Sequence, residues 1–384
     1  MTKTLLRSSA SIAVLALTVG TALAAEPKLP ESISWTAYGT TSSGYAQSVG
    51  LGKMLKEKYN ADLRIIPGKN DVSRMVPLKA GQTPICACGI AVYFAQEGVL
   101  MFAAKDWGPM QVYNLFSNVG RNGQQLMTAA DANIKTPADL KGKRVTWVKG
   151  ADALNQNATA MLAFGGLTWK DVQKVEVPGW GQSIQAVING QADAAHGSTI
   201  SSAYAQLAAS PRGLWFPPLP HADKAGWERA RAVAPWWSPS IVTAMTKGAK
   251  NEGPFEGSNY PYPIFVASTG ISDDLAYGLT KAVMENYESF KESGPGMDGY
   301  KVENQNFDYI FPYHPAAIRY YKEKGVWTAE HDKHNEAILK RQAVLAAAWK
   351  SMQAKNVADD QFAAEWLKVR AAALKTAGMP VIFE

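Results

Sequence analysis

Along residues 33–59 the spacing of apolar positions changes once. Residues 33–37 have the β-rich make-up of a short buried strand, whereas Tyr45, Val49, Leu51, Met54, Leu55 and Tyr59 recur at helical spacing. Between them lies Gly39-Thr40-Thr41-Ser42-Ser43-Gly44, a run of small turn residues. Lys53, Lys56 and Lys58 gather towards the helix C-terminus, where cations suit the helix dipole. The pattern predicts strand, hydroxyl-rich loop and helix. Such a loop exposes unpaired backbone N–H groups to an acceptor-bearing ligand. A loop of this kind also serves simply as a helix cap, because Ser and Thr are ordinary N-caps.

The unit recurs. Residues 145–148 read as a strand, 149–152 as a loop and 154–164 as a helix ended by Gly165-Gly166. Residues 192–195 read as a strand running into His196-Gly197-Ser198-Thr199 and a helix over 201–209. Further strands are expected at 62–67, 85–89, 112–117, 175–177 and 264–267. Helices are expected at 72–79, from 91, at 182–189 and at 273–290. Asn70 or Asp71 is a candidate N-cap for the 72–79 helix, and Asn70 is also expected at the ligand. Strands alternating with helices predict a mainly parallel sheet whose ligand gathers at the strands' carboxyl ends. From 329 to 377 the chain is rich in Ala, Lys and Leu, with helical spacing interrupted near 356–360. Two helices packed on the outside are expected there.

Composition narrows the class. The precursor has 384 residues with 39 basic and 33 acidic side chains. That mild excess forms no basic block, so nucleic acid is not implied. Lys3 and Arg7, the apolar stretch 12–19 and Ala22-Leu23-Ala24 read as a leader cleaved near Ala24. A periplasmic, non-embedded protein, monomer or weak dimer, is expected. A mature chain of this size suggests two domains. Cys86 and Cys88 are expected to be free thiols, because a bridge between them would need a sharply bent strand.

Candidate chemistry points away from catalysis. The five histidines are His196, His221, His314, His331 and His334, and the last two sit in a charged, solvated stretch rather than a metal-binding one. The sequence has no G-x-S-x-G elbow, P-loop or H-E-x-x-H. Neither enzyme activity, metal nor cofactor is expected. The aromatic stretch around Trp236 and Trp237 reads equally as a wall of a ligand site or as packing in a rigid Pro-rich loop.

The chain resembles the TAXI family, the solute-binding subunits of tripartite ATP-independent periplasmic (TRAP) transporters. The residues that carry the resemblance are the 39–44 loop followed by Tyr45, then Asp139-Leu140-Lys141-Gly142-Lys143-Arg144-Val145, and Asn189-Gly190-Gln191-Ala192-Asp193-Ala194. The most specific stretch is Tyr313-His314-Pro315-Ala316-Ala317-Ile318-Arg319-Tyr320-Tyr321-Lys322-Glu323-Lys324-Gly325, similar to that family's H-P-G-A-x-R-Y-Y-x-E-x-G ending. The resemblance spans roughly 33–326. It implies an α/β type II periplasmic binding protein fold with two lobes and a hinge. Lobe 1 would comprise 25–120 and 240–326, lobe 2 121–239, and a C-terminal helical extension 327–384. It also implies a small organic acid as ligand and a TRAP membrane permease as partner. An ATP-driven importer served by the same fold is the alternative.

By match to the family's pocket loops, Thr40, Ser42, Ser43, Gly44 and Tyr45 are expected at the ligand, with Ala151, Asp152, Asn155, Ser198 and Thr199 opposite. The chain departs from the pattern at Thr41, at Asp152 and in 327–384. Asp152 would repel an acid unless protonated or paired with Lys149. No arginine in these loops is placed to clamp a carboxylate, and Arg74 is the nearest candidate. The acid end is therefore expected on neutral donors, with an aromatic or bulky remainder against Tyr45, Trp180 and Trp236 or Trp237.

Overall fold

A computed structural model describes residues 28–383. The first lobe opens with β1 (Ser32–Tyr38), α1 (Ser43–Tyr59), β2 (Asp62–Gly68), α2 (Asp71–Lys79), β3 (Ile85–Cys88), α3 (Ala91–Glu97) and β4 (Val112–Ser117). The second holds β5 (Gln124–Ala129), β6 (Arg144–Val148), α4 (Asp152–Phe164), β7 (Gln173–Val177), α5 (Trp180–Ile188), β8 (Ala194–Ser198), α6 (Ala203–Ala209), β9 (Leu214–Trp215) and α7 (Lys224–Val233). An antiparallel ribbon, β10 (Ser238–Val242) with β11 (Phe255–Asn259), follows. The chain then returns as β12 (Ile264–Ser268), α8 (Asp273–Glu285), α9 (Tyr287–Phe290) and α10 (Pro315–Glu323). It ends in α11 (Ala329–Gln353) and α12 (Asp359–Thr376).

The two five-stranded sheets share one plan. Their orders are β2-β1-β3-β12-β4 and β7-β6-β8-β5-β9. In each, three parallel strands come from consecutive β–α units, and the fourth position is an antiparallel strand entering from the other lobe. The crossings are residues 118–123 and 260–263. They lie side by side, since Tyr262 N donates to Asn118 O (2.8 Å) and Asn259 Nδ2 to Gly120 O (2.8 Å). This is the type II periplasmic-binding-protein architecture, with extra helices. The ribbon belongs with the second lobe, because Ser258 Oγ donates to Gln124 O and Leu219 N to Glu256 O. The return to the first lobe therefore comes at 260–263 rather than at 240.

Local chemistry sets the elements that matter for the cleft. Ser42 is the N-cap of α1, its Oγ accepting from Tyr45 N, and Asn60 closes the helix in the left-handed region at φ 51°. Asn70 and Ser73 form a reciprocal capping box on α2. Trp35 on β1 is fully buried, edge-on to Phe265 at 5.2 Å, with its Nε1–H donating to Ser48 Oγ. The inner faces of both lobes, including Tyr38, Tyr93 and Phe94 from one and Trp180 and Trp236 from the other, merge into a single apolar cluster. The lobes are thus closed on each other. Cys86 and Cys88 are joined in a disulfide, contrary to the expectation of free thiols. Residues two apart in a strand share a face, and here their Cα atoms are 5.1 Å apart, within bridging range.

Helices α11 and α12 are anchored by one buried carboxylate. Glu97, at the end of α3, accepts from Arg341 Nε (2.6 Å) and Nη2 (2.8 Å) and from Arg370 Nη2, while its carbonyl takes Arg370 Nε (2.9 Å). Trp366 Nε1 donates to Gly98 O, and the rings of Trp349 and Trp366 meet edge to face at 4.8 Å. Glu97→Ala would leave two largely buried guanidinium groups uncompensated. It should cost on the order of 3–5 kcal/mol in urea unfolding, against a near-neutral change for the exposed Glu365→Ala.

Candidate functional site

The carboxyl ends of both sets of parallel strands point into the interlobe cleft, where ligands collect in open α/β sheets. Tyr38 ends β1, Gly89 and Ile90 follow β3, and His196 to Ser198 end β8. Gln124 opens β5 directly after the first crossing, Tyr260 and Tyr262 come from the second crossing, and Ala153, Leu154 and Trp180 from the N-termini of α4 and α5. Together with Ser42, Ser43, Arg74, Gly197 and Ser201 they enclose a cavity. Its free space is about 30 Å³ at the scale of water centres, roughly two waters' worth.

Several polar atoms of this wall are buried without a hydrogen-bond partner: Ser43 Oγ, Arg74 Nε, Gln124 Nε2 and both ring nitrogens of His196. Buried polar groups are almost always paired, so these atoms are hydrogen-bonding capacity that the protein's own groups do not use. Burial lowers the His196 pKa to about 3, so the imidazole is neutral, with one donor and one acceptor.

A clasp closes one side of the cavity. Arg74 Nη2 and Tyr38 OH both donate to Asp71 Oδ1 (2.8 and 2.5 Å), and the guanidinium lies 3.6 Å over the Tyr38 ring. Asp71 Oδ2 accepts from Ala153 N across the cleft (2.9 Å). In return Asp71 N and Val72 N donate to Gly150 O, Asn70 Nδ2 to Lys149 O and Trp180 N to Lys69 O. Each lobe therefore caps a helix N-terminus of the other. Burial first, and then the Asp71 carboxylate, hold the Tyr38 phenol protonated.

Of the residues expected at the ligand, Ser42, Ser43, Arg74, Trp180 and Ser198 line the cavity. The others are placed elsewhere. Thr40 is exposed, and Tyr45 packs half-buried on the first lobe's core. Gly44 sits where a Cβ would fall 2.9 Å from Tyr262 Oη, so its role is close approach of α1 to the crossing strand. Asn70 caps α2 and joins the clasp. Ala151 is fully buried core, and Asn155 brackets the N–H and C=O of Val148. Thr199 ties Gly123 N to Ala244 O. Trp236 and Trp237 both donate to Asn157 Oδ1 (3.0 and 2.8 Å), away from the cavity, so packing is their role.

Asp152 turns from the cleft to accept Met101 N (2.9 Å), and Lys149 pairs with Glu176 instead. His196, Tyr38, Gln124, Tyr260 and Tyr262 are the residues that sequence reading missed. The ends of β1 and β8 signalled the first two through the strand-terminus rule, but the crossing residues carry no local signal.

The motifs behind the TAXI resemblance are fold-building. Arg144 and Asp193, from the second and third of them, clamp together (Nη2–Oδ1 2.6 Å, Nε–Oδ2 3.0 Å) at the starts of the adjacent inner strands β6 and β8. Burial opposes the Asp193 charge, but hydrogen bonds from Arg144 and Arg212 outweigh it and hold the carboxyl down to about 2. His314 caps α10 through Nδ1, with Pro315 as the first helical residue. These contacts specify lobes and not a transporter.

The NMT1-like family model matches residues 36–325. The chain belongs to the NMT1-like family. This assignment replaces TAXI, and the TRAP permease partner and the TRAP-delivery function fall with it. Among solved structures of similar fold are three solute-binding proteins. One is a binding protein component of an ABC phosphonate transporter from Pseudomonas aeruginosa (11% identity, 90% of this chain and 97% of that one, TM-score 0.45). The second is the alkanesulfonate-binding protein SsuA from Xanthomonas axonopodis pv. citri bound to MOPS (14%, 79% and 96%, 0.42). The third is an ancestral arginine-binding protein bound to arginine (14%, 69% and 98%, 0.39).

The NMT1-like chain has the two-lobed α/β architecture of the type II periplasmic-binding-protein fold. No described helix is long and apolar enough to cross a membrane, and no metal-binding cluster occurs among the described residues. The expected leader, residues 1–24, lies outside the described residues.

Asp152 gives the closed cleft a pH signature. Burial, opposed by the Met101 N–H and reinforced by the Asp71 charge, raises its pKa to about 6. An acid whose pKa is raised on folding binds more protons folded than unfolded, so stability falls as pH rises from about 4 to about 6. Asp152→Asn keeps an acceptor for Met101 N and removes this ionisation. Its stability relative to wild type should improve by roughly 2–3 kcal/mol between pH 4 and pH 7 in denaturant titrations. A pH-independent difference would show that Asp152 ionises normally.

Proposed function

We propose that this NMT1-like protein is an extracytoplasmic receptor that captures a compact polar solute between its lobes and delivers it to an ATP-driven importer. The observation that carries the reading is the cluster of unpartnered buried polar atoms around the interlobe cavity, contributed by both lobes. Ser43, Arg74, Gln124, His196, Ser198 and Trp180 are the residues we assign to the solute. Contacts from both lobes make solute binding and lobe closure one event, which is how a receptor signals occupancy to a membrane partner. The small free volume favours a compact solute over the bulky aromatic acid expected from Trp236 and Trp237.

Mass spectrometry of material released from the purified protein by mild denaturation identifies the solute. With that compound, Ser43→Ala should weaken binding in calorimetry by about 0.5–1.5 kcal/mol and His196→Leu by at least as much, since each removes a partner for a buried group. Wild-type affinity in both variants would move the site away from this cavity. Uptake of the solute by cells should stop when the importer's ATPase is inactivated and survive collapse of the ion gradient. The reverse outcome would refute the ATP-driven partner.

A further inference from the structure

Behind the cavity wall, bonded to Tyr38, Arg74 and Ala153 of its lining, lies a carboxylate that belongs to the protein. The N-terminus of α4, thirteen residues long, has no side-chain cap of its own, because its N-cap is Ala151. A helix N-terminus facing a cleft attracts an anion. Here that position is filled from the opposite lobe: Asp71 Oδ2 lies 2.9 Å from Ala153 N, and its other oxygen takes Arg74 Nη2 and Tyr38 OH. Asp71 and Arg74 are both fully buried. Their charges cancel, so the guanidinium that a solute carboxylate would need is already neutralised.

The atoms left unpaired extend the same point. Arg74 Nε and Gln124 Nε2 are donors, and the Ser43 hydroxyl is both donor and acceptor. His196, with neither ring nitrogen partnered, offers a lone pair as well as an N–H. A carboxylate only accepts and would leave that lone pair unmatched. It would also add a net charge beside an Arg74–Asp71 pair whose charges already cancel, and an uncompensated buried charge is costly.

We propose that Asp71 is a built-in carboxylate occupying the anion position of the interlobe cleft, and that it makes the receptor select an uncharged polar solute with both hydrogen-bond donors and acceptors. The selectivity half rests on the receptor reading above, whereas the placement of Asp71 does not.

The test uses acetate as the probe on the full mature chain. Asp71→Ala vacates the anion position and leaves Arg74 unpaired. Its melting temperature should fall, and acetate should restore it in a saturable way, with an apparent affinity about tenfold or more above any seen for wild type at matched ionic strength with chloride. Asp71→Asn fills the same space without charge and should show no such rescue. If Asp71→Ala gains no more from acetate than wild type does, the anion-position assignment is overturned. Should Asp71→Ala not fold, expression with acetate in the medium is read instead: recovery of soluble protein supports the assignment, and no recovery counts against it. Mass spectrometry of solute released from wild type reads selectivity: a neutral compound supports it and an anion overturns it. Acetate rescue with no affinity for any solute at the cleft would sink the receptor reading, and with it the selectivity half, while leaving Asp71's placement standing.

Discussion

The closed form of this protein depends on one buried carboxylate. Asp71 takes three hydrogen bonds, two from its own lobe and one from the backbone at the start of α4 in the other. A buried ion pair adds little net stability by itself, because desolvation offsets the Coulombic gain, but leaving one member unpaired is costly. The Asp71–Arg74 pair is therefore better understood as a constraint than as a source of stability. It is satisfied only when the lobes meet in one register, because the Ala153 N–H completes it.

The reciprocal half of the clasp works on the same principle. The first N–H groups of α2 have no intrahelical acceptor, and Gly150 O supplies one from the facing loop. Gly150 adopts a positive φ of 71°, and a Cβ there would fall 2.6 Å from Asn70 Nδ2, so the loop's approach needs glycine. Closure thus satisfies backbone groups that would otherwise need water, and it does so beside the cavity lined by Ser43, Arg74, Gln124 and His196. The hinge is built differently, from two crossing strands tied to each other by Tyr262 N on Asn118 O and by the Asn259 amide on Gly120 O, with the Asn118 amide donating to Gly296 O.

The C-terminal helices add a second buried carboxylate with a structural task. Glu97 ends α3, whose residues Tyr93 and Phe94 face the Trp236 ring of the second lobe. Phe383, near the chain end, packs against all three rings. The extension therefore reaches the lobe boundary and touches both lobes. Trp236 and Trp237 share Asn157 Oδ1 as acceptor, which explains why two tryptophans sit in a Pro-rich segment without lining the cavity.

The alternation of strand and helix patterns, the hydroxyl-rich loop before α1, the caps at Ser42 and Asn70 and the paired helices after 329 were all legible in the chain, because they are set by residues within a few positions of one another. So was part of the wall: Ser42, Ser43 and Ser198 stand at element ends that local composition marks. The Cys86–Cys88 bridge was local too, since residues two apart in a strand share a face, and the expectation of free thiols misjudged that geometry. Two things were not legible. Asp152 faces Met101 rather than the cleft, and Asp71 rather than a solute takes the helix terminus, because both choices depend on residues fifty to eighty positions away. The transporter class inferred from short motifs failed for a related reason. Arg144, Asp193 and His314 secure the lobes, a task common to the fold. Local sequence determined which helix ends would need partners, and only the packing of one lobe on the other decided which atoms filled them.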